Sequence, residues 1–301
     1  MEKLFITGLT GRSGSYLLKE MIKEPLKQYE IKAVYRNCSK IKYNNERDLK
    51  IEWVEGDLTN KESMVAAMGE VDTVLHIAGI GWSLNVVEAA IECGVKRLIL
   101  VHTTGIYSKY KAAGALYIEI EEKIREMIAG KGISLTILRP TMIYGSLDDM
   151  NIIRFIKWVD GNRVFPVVKK GTFALQPVHH KDLGKAYYQV LNSTESTDNR
   201  DFVLSGGTVI DLIDILKTAC QYLDKKTTFV SVPFWFAYTG AVGLYLLSLK
   251  KIDYREKVQR LVEPRAYSHQ EATDAFGYAP ISFYDGLREE VDLYLKSKNE
   301  G

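Results

Sequence analysis

Gly8, Gly11 and Gly14, in the run Thr7-Gly-Leu-Thr-Gly-Arg-Ser-Gly14, are the residues whose type and spacing point most directly to chemistry. The apolar run Leu4 to Ile6 ahead of them reads as a buried strand. The residues from Ser13 (Ser-Tyr-Leu-Leu-Lys-Glu-Met-Ile) read as a helix, so the glycines occupy the turn between a first strand and a first helix. Glycine allows the tight turn and lets a pyrophosphate come close to the backbone. The helix start supplies free N–H groups and the positive end of its dipole. The same pattern in an isolated loop would carry little weight; in this context it predicts dinucleotide binding.

Thr7-Gly-x-x-Gly-x-x-Gly14 resembles the short-chain dehydrogenase/reductase superfamily in its extended or atypical branch, which includes the NAD-dependent epimerases and dehydratases of nucleoside-diphosphate sugars. The resemblance implies an α/β fold, a Rossmann doubly wound parallel sheet with a smaller C-terminal substrate lobe. It implies cofactor contacts from Thr7, Gly8, Thr10, Gly11, Arg12, Ser13 and Gly14. Asp57-Leu58, after the third strand, resembles the pair that borders the adenine, with Asp57 accepting from the amino group or capping the next helix. Ile77-Ala78-Gly79 matches the fourth-strand ending that passes the cofactor, and Thr103 and Pro140 stand at later strand ends beside it.

The end of the second strand separates the two nicotinamide cofactors. An acid there accepts from the ribose hydroxyls of NAD and repels a 2′-phosphate. The position holds Arg36, whose guanidinium can grip a phosphate by paired hydrogen bonds, and Arg12 could approach the same group. NADP is the expected cofactor, ahead of NAD.

Members of the superfamily typically combine a Ser or Thr with a Tyr and a Lys four residues apart. The ammonium lowers a phenol pKa of about 10 toward working pH. Thr104 supplies the hydroxyl at the end of the fifth strand. Tyr117 lies on the following helix at the expected separation, but Glu121 stands in the lysine's place. A literal match, Tyr107 with Lys111, lies in the turn directly after the strand. Two readings follow from this departure: an oxidoreductase or epimerase/dehydratase-like enzyme acting on a nucleotide sugar or other small carbonyl compound, and a non-catalytic NADP-binding sensor or assembly subunit.

On the substrate side, Arg139-Pro-Thr-Met-Ile-Tyr-Gly145 resembles the R-P-x-x-V-Y-G signature of the extended enzymes. Pro177 to Ala186 and Phe276 to Leu287 resemble two further segments of that branch, with Asp182 reading as a helix cap or structural hydrogen-bonder. Arg154, Arg163, Lys169, Lys170, Arg260 and Arg265 are the basic positions available for a diphosphate. His179-His180 lacks a carboxylate or cysteine at ligand spacing, so no metal site is expected.

These residues need a scaffold. Strands are predicted at Leu4–Ile6, Ile31–Tyr35, Ile51–Val54, Thr73–Ile77, Arg97–His102 and Ser134–Leu138, with helices between them, and Phe202–Leu204 is expected to return to the same sheet. The expected division is 1–142 with 174–205 for the dinucleotide domain, and 143–173 with 206–301 for the smaller lobe. A net charge of +2 gives no basis for nucleic-acid binding. Three widely spaced cysteines and a start that enters a strand at once point to a reducing cytoplasm without a signal peptide; a homodimer is possible. Thr227 to Leu249 carries no charge and approaches the length of a membrane span. Pro233, two glycines and two serines interrupt it. The segment is therefore expected to be a buried or substrate-covering helix, with peripheral membrane contact through 229–249 as the alternative.

Overall fold

The computed structural model describes residues 1–41, 49–248, 251 and 253–300, with the backbone alone for 111–113. The first half alternates: β1 (Glu2–Thr7), α1 (Arg12–Lys23), β2 (Tyr29–Tyr35), β3 (Ile51–Glu55), α2 (Lys61–Met68), β4 (Thr73–His76), α3 (Ser83–Glu92), β5 (Arg97–Val101), α4 (Lys111–Ile128) and β6 (Ser134–Pro140). There follow β7 (Ile143–Tyr144), α5 (Ile152–Gly161), β8 (Val164–Val168), β9 (Ala174–Leu175), β10 (Val178–His179), α6 (His180–Asn192), α7 (Thr194–Thr197) and β11 (Asp201–Leu204). The chain closes with β12 (Ile210–Asp211), α8 (Leu212–Tyr222), β13 (Thr228–Val232), α9 (Phe234–Leu247), α10 (Arg255–Leu261), α11 (Gln270–Phe276) and α12 (Phe283–Asn299).

The expected doubly wound sheet is present. Among the described residues seven parallel strands run in the order β11-β6-β5-β4-β1-β2-β3, and Phe202 to Leu204 does return, beside β6. The inner strands are buried on both faces, which is why they read as continuous apolar runs rather than alternating ones. One face packs on α1 and α6, with Leu17, Met21, Leu183 and Tyr187 in its core. The other packs on α2, α3 and α4 through Met64, Val86, Ala90 and Ile124. The helices α1 and α6 approach closely because Gly184 has no side chain: a Cβ there would stand 2.6 Å from the Leu17 nitrogen. A third core, built from α5, α8, β8 and α12, supports the smaller lobe.

Two local assignments differ from expectation. Asp57 does not cap α2; it accepts from the Thr59 N–H at 2.9 Å, and the cap is Asn60, which accepts from Ser63 at 2.7 Å. The uncharged segment is not a buried helix either. In α9 only Ala241 is buried, while Trp235, Phe236 and Leu247 are exposed, because the helix packs chiefly on α10 at the edge of the smaller lobe. Among the described residues no helix is long and apolar enough to cross a membrane.

Where the smaller lobe meets α6, buried polar groups accumulate. Asp182 accepts from the Ile281 N–H at 3.2 Å, and burial pushes its carboxyl up to about 6. Glu290, on α12, is fully buried and faces Asp149; burial first, and then the neighbouring carboxyl, push its pKa up to about 10 from 4.5. The folded chain therefore keeps a proton that the unfolded chain releases above about pH 4.5, so this group subtracts stability progressively as pH rises toward 10. Glu290→Gln retains a donor for Asp149 and cannot ionise. It should raise the melting temperature by several degrees at about pH 8.5 and change it little at about pH 5. Equal differences at both pH values in thermal melts would count against this assignment.

Candidate functional site

The glycine turn fits together by backbone contact. Gly8 has φ +78°, and a Cβ on it would lie 2.8 Å from the Ala78 nitrogen. A Cβ on Gly14 would lie 2.7 Å from Leu9 Cα. These two glycines bring the ends of β1 and β4 together and seat α1 against them. Gly11 precedes α1 without a capping side chain, and no acid occupies the helix's first turn. The start of α1 is thus open to an anion, as the motif requires.

Thr7, expected at the cofactor, is fully buried, with its hydroxyl engaged inside the fold. Its hydroxyl lies 2.7 Å from Nδ1 of His76, whose Nε2 lies 3.0 Å from the Gly79 carbonyl. The carbonyl can only accept, so Nε2 carries the proton and Nδ1 accepts from Thr7. Burial holds this imidazole down at about 4, and it remains neutral. His76 is a structural bracket between the glycine turn and Gly79.

A cleft of about 1240 Å³ opens at the C-terminal ends of the strands. One wall comes from Thr10, Gly11, Arg12 and Ser13 and another from Thr103, Thr104 and Ser108. The smaller lobe closes it with Arg260, Glu263, Arg265 and Tyr267. Of the six basic positions singled out in the sequence, only Arg260 and Arg265 line this cleft. Each has a buried Nε without a partner among the described residues. Burial, followed by the neighbouring Arg260, pulls the Arg265 pKa below its ordinary value. A pair of partly desolvated guanidinium groups is a site suited to an anion. Arg12 does not point to the end of β2. Its Nε donates to Asp148 at 2.9 Å, which ties the glycine turn to the loop after β7. Arg36 is exposed and close enough to help hold the Asp57 carboxyl below the usual range, after the hydrogen bonds from Thr59. Ser39 and Lys40, which no motif singles out, line the cleft on this side.

Tyr117 is not on the cleft wall. Its half-buried ring packs against the core beneath α4 and beside the cleft wall, where a Cβ on Gly105 would stand 3.3 Å from its Cε2. Glu121, one turn later, has an evident role. It accepts from Nε of Arg139 at 3.1 Å, from a second nitrogen of the same guanidinium, and from Nδ1 of His102 at 3.0 Å. Arg139 also reaches Asp201 at 2.8 Å, and the Ser83 hydroxyl lies 3.1 Å from His102 Nε2. Burial alone would raise Glu121, but the bonds from His102 and Arg139 prevail and hold it at about 2. The position that bears a lysine in the superfamily pattern thus carries the anionic centre of a buried network. Tyr107 is nearly half exposed, 3.5 Å from Arg139 Nη1, with its ring against Tyr267. The side chain of Lys111 lies outside the described residues.

Thr104 does lie in the wall, its hydroxyl donating to the Pro140 carbonyl at 3.2 Å. Beside it the structure assembles a pair that spacing could not reveal. The Ser108 hydroxyl donates to Glu263 at 2.8 Å, and the Lys109 N–H donates to the same carboxylate at 2.7 Å. Tyr267 follows, its N–H bound to Gln176 at 2.9 Å and its phenol pushed up by burial. Among the described residues no cluster could hold a metal ion.

Residues 8–156 match the NAD(P)H-binding family model. The chain is 18% identical to UDP-glucose 4-epimerase of Vibrio cholerae over 99% of its own length and 97% of that protein. Its fold is that of UDP-glucuronic acid 4-epimerase from Bacillus cereus, solved in complex with UDP-glucuronic acid and NAD, with TM-score 0.74 and 17% identity over 98% of this chain and 99% of that one. An epimerase from Methanothermobacter thermautotrophicus gives TM-score 0.74 and 16% identity over 99% and 93%.

Removing the centre of the buried network exposes its worth. Glu121→Ala leaves the Arg139 guanidinium short of its main counter-charge and should cost about 3–5 kcal/mol in urea unfolding. A cost under about 1 kcal/mol would mean that Asp201 alone satisfies the arginine.

Proposed function

We propose that this chain, which carries an NAD(P)H-binding domain on the fold of the nucleotide-sugar epimerases, is an NADP-dependent enzyme acting on a diphosphate-bearing substrate of the nucleotide-sugar class. The observation that carries the reading is the continuity of one cleft. It runs from the open start of α1, in the dinucleotide domain, to Arg260 and Arg265 in the smaller lobe. Its volume of about 1240 Å³ suits a dinucleotide together with part of a second ligand. The uncapped helix start and the space beside Gly11 fit a pyrophosphate, and nicotinamide bound there supplies hydride exchange with a substrate carbon.

The chain's own groups divide the remaining work. Gly11, Arg12 and Ser13 receive the dinucleotide phosphates, with Ser39 and Lys40 of the cleft wall, and exposed Arg36 outside it, serving the 2′-phosphate. Thr104 orients a substrate oxygen. Arg260 and Arg265 hold the substrate's diphosphate. Proton transfer falls to the Ser108–Glu263 pair, a hydroxyl already donating to a carboxylate in the cleft wall. This replaces the Tyr–Lys couple, since Tyr117 is not among the residues that line the cleft and Glu121 is committed to Arg139. That same commitment favours the second reading, a protein that binds NADP without turnover.

The test is calorimetry with NADPH and with UDP, followed by a screen of NADPH or NADP⁺ turnover against UDP-sugars. UDP should bind the wild-type chain and lose about tenfold or more in Arg265→Ala, with NADPH affinity unchanged. Glu263→Gln should lower any turnover by about 10²–10⁴-fold while both ligands still bind. Binding of NADPH without UDP would overturn the substrate assignment. Binding of both without turnover would favour the non-catalytic reading.

Cofactor choice has its own measurement. NADP(H) should bind more tightly than NAD(H), and Arg36→Ala should cost about 1.5–3 kcal/mol for the phosphorylated form only. Equal affinities in the unmutated protein would remove the preference.

A further inference from the structure

We propose that α9 docks the protein on an anionic lipid surface, independently of what the cleft binds. The helix contains no charged residue, and its fourteen residues span about 21 Å, too short to cross a bilayer of about 30 Å. Its two faces differ by exposure rather than by polarity. Phe234, Tyr238, Ala241 and Tyr245 lie on the less exposed side, and Arg255 of α10 stacks 3.9 Å over Tyr245. Phe236, Leu244 and Leu247 recur at helical spacing on the outer side, and Trp235 flanks them; Trp235 is 65% exposed and Leu247 85%. A contiguous apolar stripe of this kind marks an interaction surface.

Charge around the helix selects the occupant. Residues 224–257 contain six Lys or Arg against three Asp or Glu, and one of those acids, Asp253, is paired with Arg255 at 2.7 Å. Lys169 reaches to 5.9 Å from the Phe234 ring at the start of the helix. Lys169, Lys170, Lys226, Lys251 and Lys257 are exposed and form no ion pair with any described residue. Exposed Trp and Phe on a helix whose start and flanking segments carry such lysines match the interfacial zone of a bilayer, where rings sit at headgroup depth and ammonium groups meet lipid phosphates. A second copy of this chain would bring the same lysines against each other.

Flotation or co-sedimentation of the full chain with vesicles tests this directly. Binding to phosphatidylcholine vesicles containing about one-third phosphatidylglycerol should exceed binding to phosphatidylcholine alone by about tenfold, and fall in about 0.5 M salt. The double variant Trp235→Glu with Leu247→Glu should abolish binding, and Lys169→Glu with Lys170→Glu should remove most of the preference for phosphatidylglycerol. Retained NADPH binding in both variants shows that the fold survives; if it is lost, the milder Trp235→Ser, expected to weaken vesicle binding severalfold, decides the matter. Absence of binding to either vesicle would overturn the proposal. So would a concentration-dependent dimer in sedimentation velocity that the double variant dissolves, since a second copy would then cover the stripe.

Discussion

In the glycine turn no side chain fits between Gly8 and Ala78, or between Gly14 and the residues of the turn it closes. Backbone meets backbone there, and most of what matters follows from that contact. It sets the distance between the ends of β1 and β4, and it aims the uncapped start of α1 along the strand ends. His76 completes the arrangement from below, accepting from Thr7 and donating to the Gly79 carbonyl as a neutral, fully buried ring. Contacts this close leave no room for side-chain adjustment in the turn.

The second constraint is electrostatic. Arg139, at the end of β6, is too deeply buried to stand unpaired, and Glu121 and Asp201 supply its counter-charge. Using Glu121 in this way has a consequence for chemistry. An acid at that helical position would raise the pKa of a phenol one turn away. Here Tyr117 is half-buried against the core beneath α4, beside Gly105 of the cleft wall. Elsewhere on the wall the smaller lobe sets Glu263 against Ser108, a carboxylate and a hydroxyl hydrogen-bonded to each other.

What is legible in the sequence divides along physical lines. The glycine turn, the strands and the return of Phe202 to the sheet are local or periodic features, and chain order alone exposes them. Arg260 and Arg265 can be named as basic positions, but the sequence cannot separate them from Arg154 and Arg163, because burial is a property of the packed lobe. Glu263 lies far along the chain from Ser108, and Glu290 equally far from Asp149, so neither partnership leaves a trace in spacing. Tyr117 illustrates a related limit. Its place on the helix is right by count, but the ring direction is set by what α4 packs against. The uncharged segment is visible as such, yet whether it turns inward or outward depends on α10 being its main neighbour.

The smaller lobe is fastened to the dinucleotide half by contacts of two kinds, and the difference bears on how the cleft can respond to a ligand. Glu263 holds Ser108 and Lys109 from a buried position, and Asp182 holds the turn at Ile281. Such bonds are costly to break because the groups left behind are shielded from water. The Arg12–Asp148 pair is different, since the guanidinium is 40% exposed and the carboxylate 75%. An exposed pair contributes little to stability, on the order of 1 kcal/mol or less, so a phosphate arriving at the start of α1 can compete for Arg12 at small cost. The loop after β7 would then lose its tie to the glycine turn while the buried fastenings keep the lobe in place. A cleft built this way can accept an anion through side-chain exchange at its rim, without separating its two halves.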